Sequence, residues 1–282
     1  MPRPSLRIAI LFFWLVMTGW LVKDEVMPRL GFGELDYRAV LQERARKKTT
    51  RWRIELGPRQ IGWATTEVDP QTDGSFGIIT VLSLNLSEFT RGNAVDRLDS
   101  HESTMVDMTS DIFVDPLGRL ETLDVELAIT PPRARTPARV NFTGKVQGET
   151  LEISTQGLGA PFKNLRLPVN SQSFFADKLV PLDHIPDLRV GKKWTTRTVN
   201  PFVALSGPFS MLFRGQSIEV VQNEVVGVET IQLDEQSWRC HLIEHRRDET
   251  FSTTWVRISD GKVLRRDVKF GGIVLTFANS RP

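Results

Sequence analysis

Leu123-Asp124-Val125-Glu126-Leu127-Ala128-Ile129 decides the fold. Apolar Leu123, Val125, Leu127 and Ile129 alternate with Asp124, Glu126 and Ala128. A period of two puts these apolar side chains on one face of a strand and leaves the other face to water. Working back, Asp107 to Val114 leads into this segment through the turn Pro116-Leu117-Gly118. Working forward, Val140, Phe142 and Val146 alternate again, followed by Leu151 and Ile153. Further upstream, Trp52, Ile54 and Leu56 alternate with Arg51, Arg53 and Glu55. A Gly57-Pro58 break follows, then Ile61, Trp63 and Thr65, which is a hairpin pattern. Asp73-Gly74 makes a turn before Ile78, Thr80, Leu82, Leu84 and Leu86.

The stretch from Gly157 to Asn200 is less regular, with Pro161, Pro168, Pro181 and Pro186. It reads as a connector with one short helix at Ser173 to Leu179. Strands then resume as short pieces: Ile218 and Val220, Val226 and Val228, Ile231 and Leu233, then Trp238, Cys240 and Leu242. Trp255, Val263 to Phe270 and Ile273 to Phe277 complete the series, and Asp260-Gly261 is its strongest hairpin turn. Strands follow one another without helices, which excludes a parallel βαβ sheet. The fold class expected is all-β and antiparallel. Gly118 to Leu127 also aligns without a gap against Gly261 to Phe270, with Ile112 opposite Trp255. That echo suggests two similar layers or half-barrels, with halves at 51–158 and 188–282.

Composition narrows the function. The 282 residues are 40% hydrophobic and 25% charged, as in folded globular proteins. Lys and Arg number 36 against 34 Asp and Glu, so no general basic field serves a nucleic acid. The single cysteine excludes a disulfide within the chain.

The N-terminus speaks to placement. Arg3 and Arg7 precede an uncharged run from Ile8 to Val22, the export-signal pattern. The run is slightly under the ~20 residues of a relaxed span, but Arg7 and Lys23 can snorkel and Trp20 suits an interface. Lys23, Asp24, Glu25 and Val26 follow in place of a small-x-small cleavage signal. Residues 1–27 therefore read as an uncleaved anchor, with a cleaved signal peptide as the alternative. Ile8, Leu11, Phe12, Phe13, Trp14, Leu15, Val16, Trp20 and Leu21 are its membrane-facing residues. The basic lead favours a cytoplasmic N-terminus and an extracytoplasmic bulk, periplasmic in a bacterium. Residues 28–50 read as a charged juxtamembrane segment, helical over Glu34 to Lys48, with Glu34–Arg38 and Glu43–Lys47 at i,i+4. Arg44, Arg46, Lys47 and Lys48 gather at its end, where they would meet lipid headgroups or water. The β domain is expected over 51–282.

Catalytic motifs are sparse. His241-Leu-Ile-Glu244-His245 fits H-x-x-E-H, an inverted zinc-protease signature. That chemistry needs a helix, yet Trp238, Cys240 and Leu242 alternate as in a strand, with the histidines toward its polar face. Residues four apart on a strand lie about 13 Å apart, too far for two zinc–nitrogen bonds of about 2 Å. Cys240 and His241, as strand neighbours, point to opposite faces and form no nucleophile–base pair. His101, Glu102, Asp107 and Asp111 are spread along one strand and its lead-in, and Asp183-His184 lies in a proline-bounded loop. Arg133, Arg135 and Arg139 fall in a hairpin loop. No phosphate-binding loop and no Gly-x-Ser-x-Gly is present.

Trp52-Arg-Ile-Glu-Leu-Gly with Gln60-Ile-Gly-Trp63 resembles the opening hairpin of β-rich modules in exported bacterial proteins, some of which precede transglutaminase-like domains. Thr254-Trp-Val-Arg-Ile-Ser-Asp-Gly-Lys-Val-Leu264 is similar to the late hairpin of the periplasmic lipoprotein-carrier superfamily. Leu188-Arg-Val-Gly191 with Trp194 also resembles such domains. The resemblance implies a curved antiparallel sheet whose concave face holds acyl chains or a peptide, and it carries over no catalytic residue. The expectation is a membrane-anchored, non-catalytic envelope protein that binds a lipid or apolar peptide and needs no cofactor or metal. The alternative is a structural component of an envelope protein complex. A remote third reading is a metal-dependent hydrolase built on His241, Glu244 and His245.

Overall fold

The computed structural model describes residues 13–14, 16–20, 48–86, 104–116, 119–157, 165–169, 173–174, 183–199, 218–247, 250–270 and 273–280. The first strands are β1 (Lys48–Leu56), β2 (Arg59–Pro70), β3 (Phe76–Asn85), β4 (Met105–Val114) and β5 (Leu120–Thr130). Next come β6 (Ala138–Gln147), β7 (Thr150–Gly157), β8 (Leu165–Pro168), β9 (Ser173–Phe174) and β10 (Lys193–Val199). The last are β11 (Ile218–Leu233), β12 (Gln236–Arg247), β13 (Thr250–Arg257), β14 (Val263–Phe270) and β15 (Ile273–Ser280).

All belong to one sheet, in the order β8-β7-β6-β5-β4-β3-β2-β1-β15-β14-β13-β12-β11-β10-β9. Neighbours are antiparallel, except that two-residue β9 runs parallel to β10. The chain meanders from β1 out to β8, restarts at the opposite edge and returns to β15. There Trp52 meets Asn279 and Ile54 meets Phe277. The edge strands β8 and β9 do not pair with each other, so the sheet is not closed. Yet the chain from Pro168 to Ser173 reaches at most about 18 Å. A flat sheet with this many strands about 4.8 Å apart would put its edges roughly 67 Å apart. The sheet must therefore curl until its edges nearly meet, as large twisted sheets do.

The inner face carries the core. Trp52, Ile54, Leu82, Leu123, Leu127, Phe142 and Phe277 are at most 2% exposed and belong to one cluster. That cluster joins side chains from β1–β8 to Val225, Ile243, Val256, Val263 and Leu275 from the other meander. The alternation read at Leu123 to Ile129 holds: each apolar residue is buried and each one between is exposed or half-buried. Bulges break it elsewhere. Ile54 pairs with Gly62 and Glu55 with Gln60, leaving Ile61 as an extra residue. Parity flips there, so Ile61 is buried while Trp63 is 46% exposed, against the single face the alternation predicted.

Three expected boundaries are corrected. Lys48 to Thr50 belong to β1 and not to a charged helix, because Lys48 pairs with Val68 and Thr50 with Thr66. Ser173 and Phe174 form a strand on β10 and do not open a helix. Ile218 to Leu233 is one 16-residue strand, not three short ones. Phe13, Trp14 and residues 16–20 are helical and exposed. No helix among the described residues is long and apolar enough to cross a membrane. The remaining anchor residues Ile8, Leu11, Phe12, Leu15 and Leu21, and the basic residues Arg44, Arg46 and Lys47, lie outside the described residues.

Candidate functional site

The two meanders share a register landmark. In the β4–β5 hairpin, Phe113 pairs with Thr122 and Val114 with Leu120, which bulges Glu121. In the β13–β14 hairpin, Trp255 pairs with Arg265 and Val256 with Val263, which bulges Leu264. Counting strands from these bulges matches Ser110 with Ser252. From Ser110 a row of register partners crosses the inner face: Thr80, Thr66 and Thr50. From Ser252 the corresponding row is His245, Asn223 and Trp194.

Both rows place polar atoms on a largely apolar face, but they are satisfied differently. In the first, Thr66 Oγ1 and Ser110 Oγ are buried without a hydrogen bond among the described residues, as is Trp52 Nε1. Only Thr50, at one end, has an assigned partner here, donating to Asp183 Oδ2 at 3.0 Å. Such orphans are uncommon in folded proteins.

The second row forms a connected network. Asn223 Nδ2 donates to Thr196 Oγ1 at 2.8 Å and lies 3.3 Å from the carbonyls of Trp194 and Val221. Its Oδ1 therefore faces the imidazole of His245, 2.6 Å from Nδ1. Nδ1 must carry the proton, and Nε2 accepts from Thr254 Oγ1 at 2.8 Å. Burial holds the His245 pKa well below its ordinary value, and the positive charge of Arg266 lowers it further. Arg266 is in register with Thr254 on the same face. Glu219, 3% exposed, lies further along β11 on that face. Ser252 is opposite His245 in register, but both ring nitrogens are engaged elsewhere. The imidazole is thus a neutral linking group across β11, β12 and β13, with no nitrogen free to activate a hydroxyl.

The zinc-protease motif does not assemble. His241 and His245 share a strand face with Ile243, 0% exposed, between them. Glu244 points the other way and pairs with Arg246 at 2.7 Å. Among the described residues no group of three or more His, Cys, Asp or Glu could hold a metal ion. Cys240 is buried, and burial pushes its thiol up to about 11, far from a reactive thiolate. His245 lies on the inner face beside buried Ile243, where the strand context predicts a polar face.

The remaining candidates scatter. Asp107 and Asp111 are on the exposed face of β4, where Asp107 accepts from Ser83 Oγ at 2.7 Å. His101 and Glu102 lie outside the described residues. Arg139 pairs with Glu126, and Arg133 and Arg135 are exposed. Asp183-His184 has a clear structural place. Val263 N donates to the Asp183 carbonyl at 2.8 Å, and Ile185 N donates to the Gly261 carbonyl at 2.9 Å. His184 Nε2 donates to the Asp260 carbonyl at 2.6 Å. With Thr50 on Asp183, this segment ties the β13–β14 turn to the start of β1.

Asn223, Thr254, Arg266 and Glu219 were not singled out by sequence. One signal was present: the gapless alignment of Gly118–Leu127 with Gly261–Phe270 sets Arg266 against Leu123, which is 0% exposed. No protein-family model, curated protein or solved structure matches this chain.

Proposed function

We propose that this protein is a membrane-tethered, non-catalytic scaffold whose β domain stands outside the cytoplasm and engages a protein partner of the cell envelope. The observation that carries this reading is the packing of the inner face. Residues contributed by both meanders to one cluster are buried to within a few per cent. A carrier of acyl chains needs an open apolar concavity, so this packing favours assembly over transport.

Tethering rests on the basic lead and the apolar run. Phe13, Trp14 and Trp20 are 64%, 68% and 60% exposed on helical backbone, an apolar surface that the other described residues leave uncovered. A partner has an edge to engage. β8 covers β7 only from Thr150 to Ile153, and Ser154 to Gly157 have no strand on that side among the described residues. An extended segment can add to such an edge by main-chain hydrogen bonds. We read β1–β6 and β10–β15 as two similar half-barrels, one carrying the Thr50–Ser110 row and the other the His245 network.

Isolation of the full chain from membranes tests this reading. The chain is expected in the membrane fraction, released by detergent and not by salt, with one protein companion at fixed stoichiometry. Recovery of the chain alone and monodisperse, under conditions that preserve known envelope complexes, would contradict it.

A further inference from the structure

β13 pairs with β12 only from Cys240 to Arg247, and β10 pairs with β11 only from Ile218 to Glu224. The rest of the β11–β12 hairpin, with its turn at Asp234-Glu235, has no other strand neighbour among the described residues. This two-stranded arm does not project into water. Trp255 Nε1 donates to Glu229 Oε2 at 2.7 Å. The Arg257 guanidinium stacks over the Trp238 ring, 4.7 Å from its centroid. Ile231, Cys240 and Leu264 form a second, smaller cluster on the outer face, flanked by Leu233, Trp238 and Trp255. At the tip, Asp234 Oδ1 is 3.6 Å from Arg53 Nη1.

Those contacts define a path. Trp255, Arg265, Ala278 and Arg53 follow one another in register across β13, β14, β15 and β1. Three strand spacings make about 14 Å, which the arm spans by running across the strands. A bulge lies just before its root: Val225 pairs with Ile243 and Gly227 with Leu242, leaving Val226 unpaired. At the tip, Asp234 and Glu235 both hold positive φ, 49° and 63°, without a glycine. That turn is strained for ordinary residues, and it presents Asp234 to Arg53.

We propose that the end of the β11–β12 arm, from Thr230 to Arg239, is a hinged strap, with its hinge where β12 leaves β13 at Cys240 and its latch at Arg53–Asp234, that opens from the outer face without unfolding the sheet. Closed, it lays its own Ile231 on Leu264 and on the Cys240 thiol at its root. Open, it presents an apolar strip on both surfaces. The main core contributes nothing to the closure, because the two clusters lie on opposite faces of the sheet.

Cys240 is the sole cysteine, at the root of the strap and 0% exposed in the cluster with Ile231 and Leu264, so its labelling reports opening. The test is maleimide labelling of the full chain in detergent over a urea series below the unfolding midpoint. The strap predicts labelling whose urea dependence is less than about half that of global unfolding, since sub-global openings expose less surface. Arg53→Ala should speed labelling about two- to fivefold, the range expected for losing its pair with Asp234; its other pair, with Glu55, lies within β1 and does not touch the strap. Arg166→Ala, which breaks the Arg166–Glu152 pair in the other meander, should leave the rate unchanged. Labelling that carries the full urea dependence of unfolding, or that ignores Arg53→Ala, overturns the proposal.

Discussion

His245 and Asn223 face each other across β12 and β11, with Nδ1 of the imidazole 2.6 Å from Oδ1 of the amide. Thr254 closes the other side of the ring at 2.8 Å. The ring is therefore held neutral, with its proton on Nδ1, next to the positive charge of Arg266.

Stability should depend on pH through this ring. The His245 pKa is lowered on folding, so below the unfolded value near 6.5 the unfolded chain binds a proton that the folded chain refuses. The contribution is fully present above about pH 7 and is lost as pH falls through the unfolded pKa toward the folded one. The loss is bounded by about 1.4 kcal/mol per pH unit. Urea midpoints measured from pH 8 to pH 5 should fall in wild type, and the slope should shrink in His245→Gln.

The two polar rows should respond oppositely to removal of polar atoms. Thr66 Oγ1 is buried without a partner, so Thr66→Val removes a desolvation cost and should be neutral or stabilising by up to about 1 kcal/mol. Asn223→Ala leaves His245 Nδ1 and Thr196 without their partner and should cost about 2–3 kcal/mol. Denaturant titration at constant m-value distinguishes them.

Two glycines with left-handed backbone separate strain from collision. Gly148 has φ 62° and open space around it, so Gly148→Ala should cost only about 1 kcal/mol of backbone strain. Gly261 has φ 70°, and a methyl there would lie 2.7 Å from His184 Nε2 and 2.9 Å from the Ile185 carbonyl. Gly261→Ala should cost clearly more and should loosen residues 183–185, read as faster amide exchange at Ile185.

At the strap tip, Glu235→Gly should stabilise the turn, because a glycine adopts φ 63° without the penalty of about 1–2 kcal/mol that a side chain incurs. The entropy glycine adds to the unfolded chain offsets part of this. A slower labelling rate at Cys240 is the expected readout.

Much of the sheet was legible because its solvent-facing residues are polar. Leu123, Val125, Leu127 and Ile129 announce their strand, and Asp260-Gly261 announces its turn. Bulges are illegible in a period count, since each shifts the parity after it: Ile61 hides the exposure of Trp63, and Val226 splits one 16-residue strand into apparent pieces. Pairing of β1 with β15 is a contact between chain regions some 220 residues apart, and no local pattern encodes it. The His245 network was misread for a related reason. Trp238, Cys240 and Leu242 look like a core face, which assigns the histidines to water. In fact Trp238 and Cys240 belong to the small outer cluster, and Ile243 and His245 belong to the inner face.

The central claim is that the interior of the β domain is filled. Titration of the full chain in detergent with a fluorescent fatty acid tests it most directly. The packed interior predicts only weak, non-saturating enhancement that scales with detergent. Saturable enhancement at one site per chain, abolished by substituting Leu123 or Phe142 with a larger or polar residue in a variant that still folds, would contradict it.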